Sequence, residues 1–267
     1  MDLAAVKAKL TKLNNKTSKQ NNLWKPEEGK QTIRILPYKY QPEMPFMELF
    51  FHYGIAKRTI LSPTTKGEPD PIADFAEKLR KTGDKEDWEL SKDLTPKMRI
   101  YAPVLVRGKE KEGVKFWGFG KLVYQELLGL AEDPDYANFE DPTQGRDFTV
   151  DFTKGVTNRE NKTVIRPKPG TSPISEDKEI IKMVSDQPNL LEDVWQIPTF
   201  DELTTVLEKH LNPEAEEDAQ LAAMDGGIAA KPTAVTPTPK AEEVTPNTTK
   251  VDKVEDVASA FDNLFDS

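Results

Sequence analysis

The stretch Lys115-Phe116-Trp117-Gly118-Phe119-Gly120-Lys121 has the residue types and spacing that point most directly to a chemistry. Read as a strand, it places Lys115, Trp117, Phe119 and Lys121 on one face. The other face carries Val114, Phe116 and two glycines, which permit close packing against a core. A face of cation, aromatic, aromatic, cation suits unpaired nucleic-acid bases, whose π-faces stack on rings while ammonium groups hold the phosphates. The preceding strand repeats the theme, with Arg99, Tyr101 and Arg107 on one face and Ile100, Ala102, Val104 and Val106 on the other. The turn at Gly108–Gly113 would join the two as a hairpin and bring both polar-aromatic faces to one surface. Arg34 points away from Ile33 and Ile35, and Arg58 adds a further cation. A competing reading puts Trp117 and Phe119 in a core, on a strand buried on both sides, with lysines snorkelling at its edges. The repetition over two strands favours nucleic acid. The strand Asp147–Lys154 turns Phe148, Val150 and Phe152 inward and Asp147 and Asp151 outward, an acidic face that repels phosphate. The predicted binding surface is therefore one-sided.

Enzymatic chemistries find little support. No GxxxxGK[ST] phosphate loop or strand-to-helix GxGxxG occurs, and no serine sits in a nucleophile elbow. The acidic run Glu132-Asp133-Pro134-Asp135 reads as a solvated loop. The chain has no cysteine, which excludes disulfides, thiolate metal sites and cysteine nucleophiles. Its two histidines are His52, which reads as an edge residue, and His210, placed in the last turn of a helix where a cation suits the dipole.

These residues need a scaffold of strands. Apolar runs at Thr32–Leu36, Phe46–Tyr53, Ala56–Leu61, Met98–Arg107, Val114–Gly120, Phe148–Thr153 and Thr163–Ile165 are separated by Gly54, Gly108, Gly113 and Gly155. Helices are predicted at Pro71–Lys81, Lys121–Leu130, Ile174–Val184 and Phe200–Leu211, the last capped by Thr199. The fold class is mainly β with α insertions. It is read as a partly open OB-type barrel with helical additions, although spacing alone does not separate a barrel from a sandwich.

Charge divides the chain. The formal net charge of −9 argues against a polyanion partner, but residues 1–170 carry 30 Lys/Arg against 25 Asp/Glu and residues 171–267 carry 7 against 21. Residues 1–25 read as a basic amphipathic helix and arm, and 26–211 as the binding core. Residues 212–250, rich in Ala, Thr, Pro and Glu, read as a disordered linker. Residues 251–267 are acidic, with Val257, Phe261, Leu264 and Phe265 at helical spacing, as in a partner-docking motif. No secretory signal or membrane span is recognised, so a soluble intracellular protein is expected.

Taken in order, several short stretches resemble one known family, the helix-destabilising single-stranded-DNA-binding proteins of T-even-type bacteriophages. The stretches are Lys12-Leu13-Asn14, Thr32-Ile33-Arg34-Ile35-Leu36-Pro37, Pro45-Phe46, His52-Tyr53-Gly54, Tyr101-Ala102-Pro103-Val104-Leu105-Val106, Lys115-Phe116 with Phe119-Gly120-Lys121, and Phe200-Asp201-Glu202-Leu203. The resemblance implies an OB-fold core, a basic N-terminal segment for cooperative self-association, and an acidic tail that contacts replication, recombination and repair partners. It also implies the cytoplasm of an infected bacterial host. Arg34, Arg58, Arg99, Tyr101, Arg107, Lys115, Trp117, Phe119 and Lys121 become the expected DNA contacts, with Arg159 where the prototype carries an aromatic. Lys16-Thr17-Ser18-Lys19 is a partial substitute for the family's N-terminal cluster. The family's structural zinc uses one histidine and three cysteines. Here His52 matches the histidine, while Ile60, Asp70 and Ala73 occupy the likely cysteine positions, so no metal or other cofactor is expected. The segment Ser62–Trp88 would then be held by packing of Ile72, Phe75, Leu79 and Trp88. The expected function is sequence-independent single-stranded-DNA binding without catalysis, the tail competing for the DNA groove. The alternatives are an RNA-binding OB-fold protein and an acidic adaptor or scaffold.

Overall fold

The computed structural model describes residues 22–157 and 160–212. Eight strands form one mixed sheet: β1 Leu23–Trp24, β2 Gly29–Ile35, β3 Met47–Tyr53, β4 Thr59–Leu61, β5 Lys97–Val106, β6 Lys115–Phe119, β7 Gly145–Thr153 and β8 Lys162–Ser172. Among the described residues five α-helices accompany them: α1 Pro71–Thr82, α2 Lys85–Leu94, α3 Lys121–Glu132, α4 Lys178–Ser185 and α5 Phe200–Leu211, with a π-turn at Leu190–Val194. The core expected over 26–211 divides into two compact units, residues 22–53, 59–68 and 96–198 in one, and 54–58, 69–95 and 199–212 in the other.

The first unit contains the whole sheet. β5 is its hub. One edge pairs antiparallel with β6, from Ile100↔Phe119 to Val104↔Lys115. The other edge pairs first with β3 (Leu49↔Arg99, Phe51↔Lys97) and then with β2 (Ile33↔Val106, Ile35↔Val104). β2 continues to β7, with Arg34 opposite Asp147, and β7 to β8, with a register shift between Arg146 and Phe148. β8 pairs only with β7 among the described residues. Its exposed Lys162, Arg166 and Lys168, with Pro167 and Pro169, discourage further pairing along that edge.

Alternation explains the core. Ile33, Ile35, Ile100, Ala102, Val104, Trp117, Phe119, Phe148, Val150 and Ile165 face one interior, together with Val123, Tyr124 and Leu127 of α3. The opposite face of the sheet is covered too. Tyr38, Leu49, Phe51, Tyr101 and Phe116 pack with Leu190, Val194 and Trp195, while Leu36, Leu105 and Val114 pack with Ile174 and Ile180. A sheet buried on both faces hides its most apolar strands entirely.

The second unit is helical. Asp70 caps α1 by accepting from Ile72 N and Ala73 N, Pro71 pre-sets the first turn, and Gly83 closes the helix in the left-handed region. Ile72, Phe75 and Leu79 are buried as expected, but Trp88 is exposed, with the Lys92 ammonium 4.4 Å from its ring centroid. Thr199 and Glu202 form a capping box on α5. Four elements differ from the sequence pattern. α2 is additional, and Ala56 and Lys57 adopt positive φ (49° and 56°) in a 3₁₀ turn, so the strand expected from Ala56 starts at Thr59. β8 also runs on through Ser172, and α4 starts at Lys178 rather than Ile174.

Candidate nucleic-acid interface

The register of β5 against β6 overturns the expected surface. Ala102 stands opposite Trp117 and Ile100 opposite Phe119, so both rings share the interior face with the aliphatic residues and not the face of Tyr101. Trp117 is 1 % exposed, edge-on to Trp24 with centroids 5.7 Å apart and 4.6 Å from the Phe119 ring. The alternation within each strand is as read. What it leaves open is which face of one strand adjoins which face of the next. Trp117 and Phe119 are core residues.

Arg34 and Arg107 are corrected as well. Arg34 is wholly buried. Its Nε donates to Asp147 Oδ1 at 2.8 Å, and its Nη2 donates to the carbonyl and hydroxyl of Ser172 at 2.8 and 2.6 Å. Arg107 grips the same carboxylate in a fork, Nη2 to Oδ1 at 2.9 Å and Nε to Oδ2 at 3.0 Å, and its Nη1 donates to the Ile174 carbonyl at 2.7 Å. Asp147 is therefore no exposed acid. Desolvation pushes its carboxyl up, but the hydrogen bonds and charges of Arg107 and Arg34 together outweigh that and hold it below the usual carboxylate range. The triad ties β2, β5 and β7 to the residues 172–174 that lead into α4.

Lys115 lies mostly covered, 3.9 Å from Glu112 Oε2, and Lys121 is exposed at the first position of α3. Arg58 is exposed in the second unit. Arg159, the self-association residues Lys16, Thr17, Ser18 and Lys19, and the docking residues Val257, Phe261, Leu264 and Phe265 lie outside the described residues.

Arg99 and Tyr101 lie on the face of β5 opposite the interior, but Tyr101, expected as a DNA contact, is buried there in the cluster under Trp195. Tyr101 is 8 % exposed, its ring 6.0 Å from Phe51 and 6.1 Å from Trp195. Burial, then the neighbouring Tyr53, pushes its hydroxyl well up, against a smaller opposing effect of Arg99. Gly118 is required here, because a Cβ at that position would stand 2.7 Å from Tyr101 Cε1. Arg99 donates from Nη2 to the Gly118 carbonyl at 2.6 Å. Exposed Lys97 and Tyr53, which the sequence reading did not single out, complete this face. The signal for Tyr53 was its place at the end of the alternating row Leu49, Phe51, Tyr53, beside the Gly54 turn.

His52 is buried on β3, opposite Ile60 in the register with β4. Asp70 is the α1 cap and Ala73 lies in that helix's first turn. Among the described residues, no three His, Asp or Glu side chains gather as a metal-binding group, and no helix is long and apolar enough to cross a membrane.

A comparison with curated proteins finds no match to the chain. Residues 27–212 do match a protein family described as gp32 DNA binding protein like, a span that includes the sheet from β2 onward, both arginines of the Asp147 triad and the outer face around Arg99. Since that span covers most of the 267 residues, the chain belongs to the gp32-like family of DNA-binding proteins.

Proposed function

We propose that the protein binds single-stranded DNA without reading its sequence, through the open end of the outer face of β3 and β5, where Tyr53, Lys97 and Arg99 lie, and performs no catalysis. The family match over residues 27–212 carries this reading. The geometry supports it at one place: on that face Lys97 and Arg99 stand beside aromatic rings, and no carboxylate of β3, β5 or β6 shares it. Cations beside π-faces, with no competing acid, are what an unpaired strand needs. The reading extends to phage DNA replication, recombination and repair in an infected bacterial cell. The acidic segment Val251–Ser267 would compete for the groove and recruit partners, Lys16–Lys19 would support self-association along DNA, and no cofactor would be involved.

The test is fluorescence anisotropy of a labelled oligo-dT titrated with full-length protein over a range of salt. Affinity should fall with a log–log slope of roughly −0.7 per phosphate neutralised. Absence of binding at low salt would overturn the reading. Deleting Val251–Ser267 should tighten binding at low salt, and an unchanged affinity would remove the tail's competing role.

A further inference from the structure

Along the outward row of β3, Leu49 and Phe51 are 2 % and 0 % exposed, packed in the cluster that holds Val194 and Trp195, whereas Tyr53 is 42 % exposed. The Tyr53 ring is braced from behind by Phe51, with centroids 6.1 Å apart at 42°. Arg99 stands on the same face of β5, opposite Leu49 and two residues along from Lys97, and its positive charge opposes the upward push that burial gives the Tyr53 hydroxyl. Arg99 uses one donor on the Gly118 carbonyl, and its other donors make no hydrogen bond among the described residues. Lys97 stands opposite Phe51, diagonal to Tyr53, and is exposed. This is a half-open aromatic ring with a fixed back, one moored guanidinium and one exposed ammonium.

We infer that the Tyr53 ring is a stacking ledge for one unpaired base, and that Arg99 and Lys97 take the phosphate next to that base. The inference rests on the single-stranded-DNA reading above and names the residues that would carry it. A ring braced on one side and open on the other offers a π-face that any base can use, so the ledge does not select sequence. It does select strandedness, because a base paired and stacked within a duplex cannot lie against the ring. Arg99 suits the phosphate better than a lysine would, since its planar fork can hold two oxygens while one nitrogen stays on the backbone.

The test uses the full chain, oligo-dT, and an abasic oligomer of equal length and charge. Tyr53→Ala should weaken oligo-dT binding by roughly 5- to 150-fold, the range of one lost stack, and leave the salt slope unchanged because a phenol neutralises no phosphate. Tyr53→Phe should bind within about 2-fold of wild type. On the abasic oligomer Tyr53→Ala should change affinity by less than about 2-fold, since there is no base to stack. Arg99→Gln should flatten the slope by about 0.7. Tyr53→Leu, which keeps apolar contact with Phe51 but has no π-face, should behave like Tyr53→Ala and serves where alanine lowers the melting temperature. Wild-type oligo-dT affinity in Tyr53→Ala and Tyr53→Leu, or an equal loss on the abasic oligomer, would overturn the ledge while leaving DNA binding intact. Failure of the wild-type protein to bind either oligomer at low salt would instead overturn the reading on which the ledge rests.

Discussion

Replacing Asp147 by alanine tests whether two arginines expected at the surface hold the sheet together instead. In the native protein three guanidinium donors converge on this carboxylate at 2.8, 2.9 and 3.0 Å. Without it, Arg34 would remain fully buried with only the Ser172 acceptors and the weaker charge of Asp141. Removing one partner of a buried ion pair costs about 3–5 kcal/mol, because the remaining charge is still held away from water. Arg107 loses less, its side chain being 21 % exposed and still bonded to the Ile174 carbonyl. The double variant Arg34→Met, Asp147→Leu should therefore be more stable than Asp147→Ala alone, although it removes more native contacts, since it leaves no fully buried charge, and the part-exposed Arg107 keeps Glu110 at 4.0 Å. The effect also has a pH signature. A carboxyl held below its ordinary value contributes stability that is present above the unfolded pKa, about 3.9, and disappears as pH falls through the folded value. The gap between wild type and Asp147→Ala should thus be full at pH 7 and shrink as pH drops below about 4. Urea denaturation followed by fluorescence of the buried Trp117 reads both quantities. A cost below about 1 kcal/mol at pH 7, or a double variant less stable than the single one, would refute the assignment of Asp147 as the counter-charge of a buried arginine.

Trp117→Ala should lose about 3–5 kcal/mol of stability and weaken DNA binding only to the extent that it unfolds; a fully stable variant with weakened binding would return Trp117 to the interface. Gly118→Ala should cost about 1–3 kcal/mol, because the Tyr101 ring that a Cβ would strike is itself packed between Phe51 and Trp195; an unchanged melting temperature would contradict that packing. Thr199→Ala should cost about 1 kcal/mol through loss of the capping box, visible as faster amide exchange in the first turn of α5. Tyr124, whose hydroxyl is pushed up to about 12 by burial and then by Glu48, should stay neutral while unfolded chains ionise near pH 10. Stability should accordingly decline between about pH 10 and 12, and Tyr124→Phe should abolish that part of the decline.

The strands and helices were largely legible, because alternation and capping are local. Helix α5 spans Phe200–Leu211 behind its Thr199 cap, as predicted, and the runs behind β2, β3, β5, β6 and β7 each became a strand. The family itself was legible in short ordered stretches, since the span 27–212 is matched. The interface was not, and the failure is physical. Alternation says that Trp117 and Phe119 share a face. Only the pairing of Ala102 with Trp117 says that this face is the interior. A strand covered on both sides offers no polar face to mark the outside, so Lys115 and Lys121 at its ends were misleading guides. α2 was missed because its apolar positions are few and its Trp88 is solvent-facing, leaving a weak helical period.

The charge split needs the same correction. A count of Lys and Arg cannot tell a cation that meets phosphate from one that meets a carboxylate in the fold. Arg34 and Arg107 were counted toward the basic front of the chain, yet the cross-strand pairing of Arg34 with Asp147 turns both inward. Their removal should leave the salt dependence of DNA binding unchanged and lower the melting temperature. Lys97 and Arg99 behave in the opposite way, because no carboxylate of β3, β5 or β6 shares their face. Each such cation used on phosphate adds about 0.7 to the steepness of the salt dependence, whatever the net charge of the chain. Surface geometry around β5, more than the balance of basic and acidic residues along the sequence, therefore sets how strongly salt should loosen the protein from DNA.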